Sequence, residues 1–524
     1  MYSDIIIIGG GAAGLLAAYG ATKALPLGSS ARITVLEKMP RPGRKILFTG
    51  KGRCNFTNLK DWNEFSQHIR TNPNFVKPAF YNFTPENTID FLESNGLETV
   101  VERGDRAFPY SHRASDVLDT IVEVVLRRGV TLLTDREVTD VLPGFSIRCA
   151  DGETFECSKL IIATGGLSYP GTGSTGDGYG WARLFGHNVI PCFPSLTALV
   201  PKGYKIIDRP ETDLKGHVHR ETPMTGSGEA LRGAKLKNVN LTVTFDGSKS
   251  ETEFGDVDFT DGGIEGPIGF QVSRKCVKAL MNGGKVMFSL DLKPGVPQEE
   301  LNSRIKTIWQ EIKNDPRTRQ WKDGRGLNGK EMYRILLGKL MPWELIPGFQ
   351  AWNPDIMKVD LKKSEYAPSR NRRFSRQPRR YYDIDLDLLA KTLKDWRFEI
   401  IGFVGYERCV ITAGGISTDE VMPKTMESRL KPGLYLCGEV LDMDCDTGGY
   451  NLQCAFSTGY LAGESAAKSL NSHSGAITLR LEWMWFRTRG RPWPRERVAR
   501  RRRDGMERET RKVRGHFHSN RPFL

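Results

Sequence analysis

The chain has 524 residues, 39% hydrophobic and 26% charged, which is enough material for two to four globular domains and excludes a disordered or fibrous chain. No apolar run approaches the ~20 residues that span a bilayer, and the apolar start leads straight into a glycine loop, so neither an anchor nor a signal peptide is expected. The formal charge of +14 is concentrated in residues 473–524, where 15 Lys+Arg face 5 Asp+Glu and leave +4 for the rest; nucleic acid is expected as a partner only through that tail.

In chain order, a β-branched run from Asp4 to Ile8 meets Gly9-x-Gly11-x-x-Gly14. A small-residue helix, "LLAAYGATKAL", follows, then a second strand, "RITVLEK", reaching Glu37. This order of strand, tight turn, helix and strand is that of a dinucleotide-binding unit. Residues 41–58 read as an ordered Gly/Arg-rich loop, 85–129 as helical, and 130–166 as strands and hairpins closing on a buried strand at Leu160–Ala163. From Val189 to about Pro294 short strands and turns suggest an inserted β-rich domain, and Pro297–Trp352 and Leu386–Trp396 read as helices. Ser364–Arg380 reads as a mobile connection. The expected map is an FAD-binding domain at 1–190, a β-rich insertion at 191–296, a helical domain and connection at 297–396, the second part of the FAD-binding domain at 397–471, and a basic, disordered tail at 472–524. That tail is either an extension without a role or an arm for RNA or anionic membrane. Nine scattered cysteines with no C-x-x-C pair point to a reducing cytoplasm and to no metal site.

The glycine fingerprint carries the first chemical signal. Gly9 permits the tight turn, Gly11 admits backbone to a pyrophosphate, Gly14 lets helix and strand pack, and the helix N-terminus supplies N–H groups. Glu37 would accept hydrogen bonds from ribose hydroxyls. Two later segments favour FAD over a nicotinamide nucleotide. Ala163-Thr164-Gly165-Gly166 after the buried strand resembles the A-T-G turn of flavoproteins, and Gly438-Glu439-x-x-Asp442 resembles the segment that reaches the ribityl chain and phosphates. A helix starting near Tyr450-Asn451-Leu452-Gln453 could aim its positive end at the flavin.

The segments "GRKILFTGKGRCNFTN" (43–58), "RAFPYSHRASDVLDTI" (106–121), "ATGGLSYPGTGSTGDGYGWARLFGH" (163–187), "DGGIEGPIGFQVSR" (261–274) and residues 412–463 resemble the bacterial BaiN/RdsA-type NAD(P)/FAD-dependent oxidoreductases, some of them aminoacetone-oxidase-like. The resemblance covers residues 4–467. It implies an α/β fold of the two-dinucleotide-binding type, a Rossmann-like FAD-binding domain with an inserted β-barrel-like domain and a helical domain. By it, Arg44, Lys45, Gly52, Arg53, Cys54, Asn55, Gly448, Gly449, Tyr450, Asn451 and Gln453 would line the flavin; Ala13, Lys38, Val138 and Leu452 complete the expected cofactor set. Cys445 stands where the family is expected to have glycine.

The implied activity is reduction of an activated C=C or C=O of a small organic substrate, with NAD(P)H as a diffusible donor because no second G-x-G-x-x-G follows a mid-chain strand. The alternatives are an oxidase of amines or hydroxy acids and a flavin-bearing RNA-modifying or RNA-binding protein. Arg44, Lys45 and Arg53 suit oxyanions. Cys54, as a redox thiol or a small packed residue, and His112 and Tyr169, as proton donors or structural residues, are the weak catalytic candidates.

Overall fold

The computed structural model describes residues 1–26, 28–206, 217–218, 222–319, 327–360 and 381–488. The chain forms two units, Met1–Ala466 and Ala467–Leu524. Strand β1 (Tyr2–Ile8) leads into helix α1 (Ala12–Ala24), and strand β2 (Ile33–Leu36) follows. β1 lies between β2 and the strand Thr154–Ile162, parallel to both, in the registers Ile6↔Thr34 and Ile6↔Leu160. Thr131–Leu133 extends the sheet beyond β2, and Leu434–Leu436 adds in parallel at Leu160–Ile162. Ile5, Ile6 and Ile7 are wholly buried, as expected where helices or loops cover both faces of a parallel sheet.

Close helix packing holds this layer together. A Cβ at Gly459 would lie 2.2 Å from the Ala13 carbonyl oxygen, and one at Gly463 1.8 Å from that of Ala17. The last helix, Tyr450–Thr488, therefore touches α1 backbone to backbone along a row of small residues. The sequence "LLAAYGATKA" reads as an ordinary buried helix, but its Gly20 permits the same approach from the other side, since a Cβ there would lie 2.3 Å from the Tyr460 carbonyl oxygen.

The β-rich insertion is a closed barrel of six strands. Leu199–Pro201, Gly263–Glu265, Lys249–Thr260, Lys235–Phe245, Val286–Asp291 and Trp396–Val404 pair in that order, and Trp396–Val404 returns to Leu199–Pro201. Closure removes the exposed edges. The interior is aromatic, with Phe259, Phe288, Trp396 and Phe398 almost fully buried. Helices Gln298–Asn314, Gly329–Leu340 and Leu386–Lys394 share the same core.

Three expected boundaries differ. The barrel's closing strand follows the helices, so the helical stretch interrupts the barrel, and the barrel runs past 296 to Val404. Residues 85–129 are not continuously helical: strands Thr99–Glu102 and Arg106–Pro109 form a hairpin between helices Pro85–Glu93 and Ala114–Arg127. The hairpin reads as helix because "ETVVERGDRAFP" is short and largely polar. The final helix continues past 471 to Thr488. The connection expected at Ser364–Arg380 and the tail beyond 488 lie outside the described residues. Among the described residues no helix is long and apolar enough to cross a membrane.

Candidate functional site

A cleft opens where β1, β2 and Thr154–Ile162 end, lined by Ile8, Leu36 and Ala163 at the three strand ends. This is where a ligand binds in an open α/β sheet. The turn after β1 explains the position. Gly9 has φ +102°, and a Cβ there would lie 2.5 Å from the Ala163 carbonyl oxygen; a Cβ at Gly14 would lie 1.8 Å from the Gly9 carbonyl oxygen. Gly11 is different: a Cβ there meets nothing within 4 Å, so its backbone faces open space in the cleft.

Glu37 fastens the turn to the end of β2. Its carboxylate accepts hydrogen bonds from the Gly10 and Met39 amides, each at 2.8 Å. Burial pushes its pKa up, against those two amides and the nearby Lys38 and Arg44. On the same side Lys38 pairs with Asp177 at 2.7 Å, and both line the cleft with Trp181 and Arg136.

At the other end, Glu439 gathers three segments. One carboxylate oxygen accepts from Lys45 Nζ at 2.5 Å, and the other from Ser168 Oγ at 2.5 Å and the Thr412 amide at 2.9 Å. Lys45 and Glu439 line the cleft with Thr49, Ile411, Asn451, Leu452 and Ala455. The start of the last helix is held by Asn451, whose Oδ1 accepts from the Cys445 amide at 2.9 Å and whose Nδ2 donates to the Cys445 and Asp446 carbonyls. No acidic residue stands in its first turn.

Of the expected cofactor residues, Gly9, Gly11, Ala13, Glu37, Lys38, Arg44, Lys45, Val138, Thr164, Gly165, Glu439, Asn451 and Leu452 meet in this cleft. The others do not line it. Gly14 backs the turn, and a Cβ at Gly166 would lie 2.5 Å from Thr412 Oγ1, at Gly438 2.6 Å from Ala13 Cβ and at Gly449 2.4 Å from the Thr57 carbonyl oxygen. Gln453 is wholly buried; its Oε1 accepts from Thr57 and Thr88, and its Nε2 donates to the Phe83 carbonyl. Tyr450 stacks on His68 at 4.2 Å. Asp442 is half-buried, with its pKa raised by burial and by Asp444. Gly52, Arg53, Cys54 and Asn55 lie past the loop's turn. Arg53 pairs with Glu102 and sits 4.4 Å over the Phe108 ring.

The weak catalytic candidates separate similarly. Cys54 is wholly buried, and burial pushes its thiol up to about 12, so it is no thiolate at neutral pH and fits the packed-residue alternative. His112 is exposed, with Nδ1 2.9 Å from Arg53. Tyr169 stacks on Phe48. Sequence reading missed Gly43, Ile46, Thr49, Arg136, Asp177, Trp181, Val410, Ile411 and Ala455, all cleft-lining. Ala455 could have been found as one helical turn from Asn451; Asp177 and Trp181 carry no sequence signal toward a site.

The residues present fit an extended dinucleotide. The buried Thr164 Oγ1 and Arg136 Nε have no hydrogen-bond partner in the protein, although both residues line the cleft, and the open face at Gly11 matches backbone that must approach a pyrophosphate.

The profile described as HI0933-like protein Rossmann domain matches residues 3–465. The chain is 30% identical over 465 residues to a 3-dehydro-bile acid delta(4,6)-reductase of Clostridium scindens, covering 88% of this chain and 98% of that one. It is 31% identical over 472 residues to a ribosomal RNA dihydrouridine synthase of Escherichia coli, covering 89% and 99%. A protein of the same description from Haemophilus influenzae is 29% identical over 474 residues, covering 89% and 99%.

Proposed function

The chain belongs to the HI0933-like Rossmann-domain family and is an FAD-dependent oxidoreductase, and on that premise we propose that it reduces a C=C bond conjugated to a carbonyl, with NAD(P)H as diffusible donor. The observation that carries this reading is that two relatives aligned over nearly their whole length are named for one kind of chemistry: a Δ4,6-reductase and a dihydrouridine synthase each add two hydrogens across such a bond.

Bound FAD would supply the hydride chemistry. Gly9, Gly11 and the start of α1 would hold its pyrophosphate, Glu37 its ribose, and Lys45, Glu439 and Asn451 the end nearest the last helix. The helix start would favour negative charge at the reduced ring. The nine cysteines are all free, in keeping with a reducing compartment such as the cytoplasm.

A second reading, reduction of a base within RNA, is favoured by the relatives named for ribosomal RNA. Their alignments span the body of the chain, so RNA recognition on this reading belongs to the body rather than to the arginine-rich tail alone. Binding to RNA that survives deletion of residues 473–524 would support it, and binding lost with the tail would remove it.

The test of the main reading is anaerobic titration of the purified yellow protein with NADH and NADPH, then stopped-flow reoxidation with 4-androstene-3,17-dione, uridine oligonucleotide or O₂. Faster reoxidation by a conjugated carbonyl than by O₂ is expected. Reoxidation by O₂ alone, with an amine or hydroxy acid as the reductant, would establish an oxidase instead.

A further inference from the structure

We propose that Phe48 and Tyr169, which neighbour cleft-lining residues in the chain without lining the cleft themselves, form an aromatic wall that stacks a planar, conjugated carbonyl ring, which makes them specificity-determining residues for the substrate. Phe48 lies between Ile46 and Thr49, and Tyr169 between Ser168 and Thr172; Ile46, Thr49 and Thr172 line the cleft. The two segments are joined there, because Lys45 Nζ donates to Ser168 Oγ. The rings lie nearly parallel, 14° apart with centroids at 5.8 Å.

Two features set this pair apart from ordinary packing. Phe48 is 56% exposed, so most of its apolar surface remains in water although cores and covered faces lie close by. The helical turn breaks just after it: Thr49 is extended at φ −68°, ψ 143°, and Gly50 and Lys51 are left-handed. Thr49 thus reaches the cleft while Phe48 stays at the surface.

Tyr169 is also left-handed, at φ 53°, a conformation unfavourable for a bulky side chain. Its backbone is nevertheless fixed. The Tyr169 amide donates to the Tyr406 carbonyl at 2.8 Å, and the Tyr169 carbonyl accepts from the Thr172 amide at 2.8 Å and from Thr172 Oγ1 at 2.7 Å. The half-buried Tyr169 keeps this strained backbone next to Thr172, which lines the cleft, and strain of this kind is retained at ligand-holding positions. A ring stacked on an aromatic wall needs only a flat π face, so the wall selects planarity rather than a hydrogen-bond pattern.

This rests on the reading of the substrate as a conjugated carbonyl. A uracil ring and a steroid enone share that chemistry, and the two arms of the test separate them. The FAD-loaded full-length protein is titrated anaerobically with hexauridylate and, separately, with 4-androstene-3,17-dione, following the flavin absorbance.

Phe48→Ala and Tyr169→Ala are each expected to weaken binding of the ring the wild type accepts by about tenfold, with FAD occupancy unchanged. Phe48→Tyr and Tyr169→Phe should restore it to within about twofold. Phe48→Ala removes an exposed ring, so its result does not depend on whether Tyr169→Ala folds. Wild-type binding that both alanine variants keep within twofold overturns the wall and leaves the reductase reading intact. A wild type that responds to neither probe overturns the substrate reading, and the wall with it.

Discussion

The Gly9–Gly14 turn and the Arg44–Asn55 loop both carry distinctive sequence, yet they differ in how much of the site they reveal. In the turn, Gly9 and Gly14 are each blocked by a carbonyl oxygen at less than 3 Å, while Gly11 faces open space, so every glycine answers a separate demand of the backbone. In the loop, Arg44 and Lys45 reach the cleft, but Arg53 turns to Glu102 and Phe108, and Cys54 enters the core beside Phe56. A glycine pattern encodes backbone geometry directly. A side chain's direction depends on what the rest of the fold places beside it.

Substitutions can break that comparison, and the largest effect belongs to Gly14→Val. Its Cβ would lie 1.8 Å from the Gly9 carbonyl oxygen, so α1 must move off the sheet; a loss of about 3 kcal/mol or more and of all bound FAD is expected in thermal melts and absorbance. Gly11→Val should separate the two properties. FAD occupancy should fall more than about tenfold, one such factor being ~1.4 kcal/mol, while the melting temperature of FAD-free protein stays close to wild type. If Gly11→Val retains full occupancy, the turn does not hold the phosphates.

Glu37→Gln sharpens the electrostatic side. Burial raises the folded pKa of Glu37, so its protonated form is favoured in the fold: the associated stability is fully present below the unfolded carboxylate value and is lost as pH rises through the higher folded value. In FAD-free protein, the stability of Glu37→Gln relative to wild type should therefore increase from about pH 4 to pH 7, starting near the unfolded carboxylate pKa. A difference that stays flat across that range, in melts at matched ionic strength, would remove this account.

The smallest effect is expected in the loop. Cys54→Ala should retain turnover within about twofold and cost roughly 1–2 kcal/mol as a small core truncation. A hundredfold loss of turnover in a folded, FAD-loaded variant would return Cys54 to the chemistry and reverse the contrast with the turn.

Much of the parallel layer was legible because β1, the turn, α1 and β2 are contiguous and each imposes its own period or spacing. The helix start at Tyr450 was legible for the same reason. The hairpin at Thr99–Pro109 was not, since its short polar strands are stabilised by pairing with each other and with Thr57–Asn58 rather than by a local pattern. The insertion's β character could be read, although the strand at Val189–Ser195 pairs with Ile411–Ile416 outside the barrel; the barrel's closure could not, because Trp396–Val404 pairs with Val286–Asp291 and Leu199–Pro201 across a long helical stretch.

By itself the sequence determined the glycine turn after β1, the acid at the end of β2, the return of the chain to a strand near Leu434, and the class of cofactor. Only the tertiary structure decided which of the loop's basic residues face the cleft, that Glu439 ties Lys45 to Ser168 and Thr412, and that Phe48 stands exposed against Tyr169. The physical reason is range. Backbone conformation and hydrophobic period are set by residues within a few positions of one another. The direction of a polar side chain is set by partners far away in the chain, such as Lys45 and Glu439, which meet only once the chain has folded.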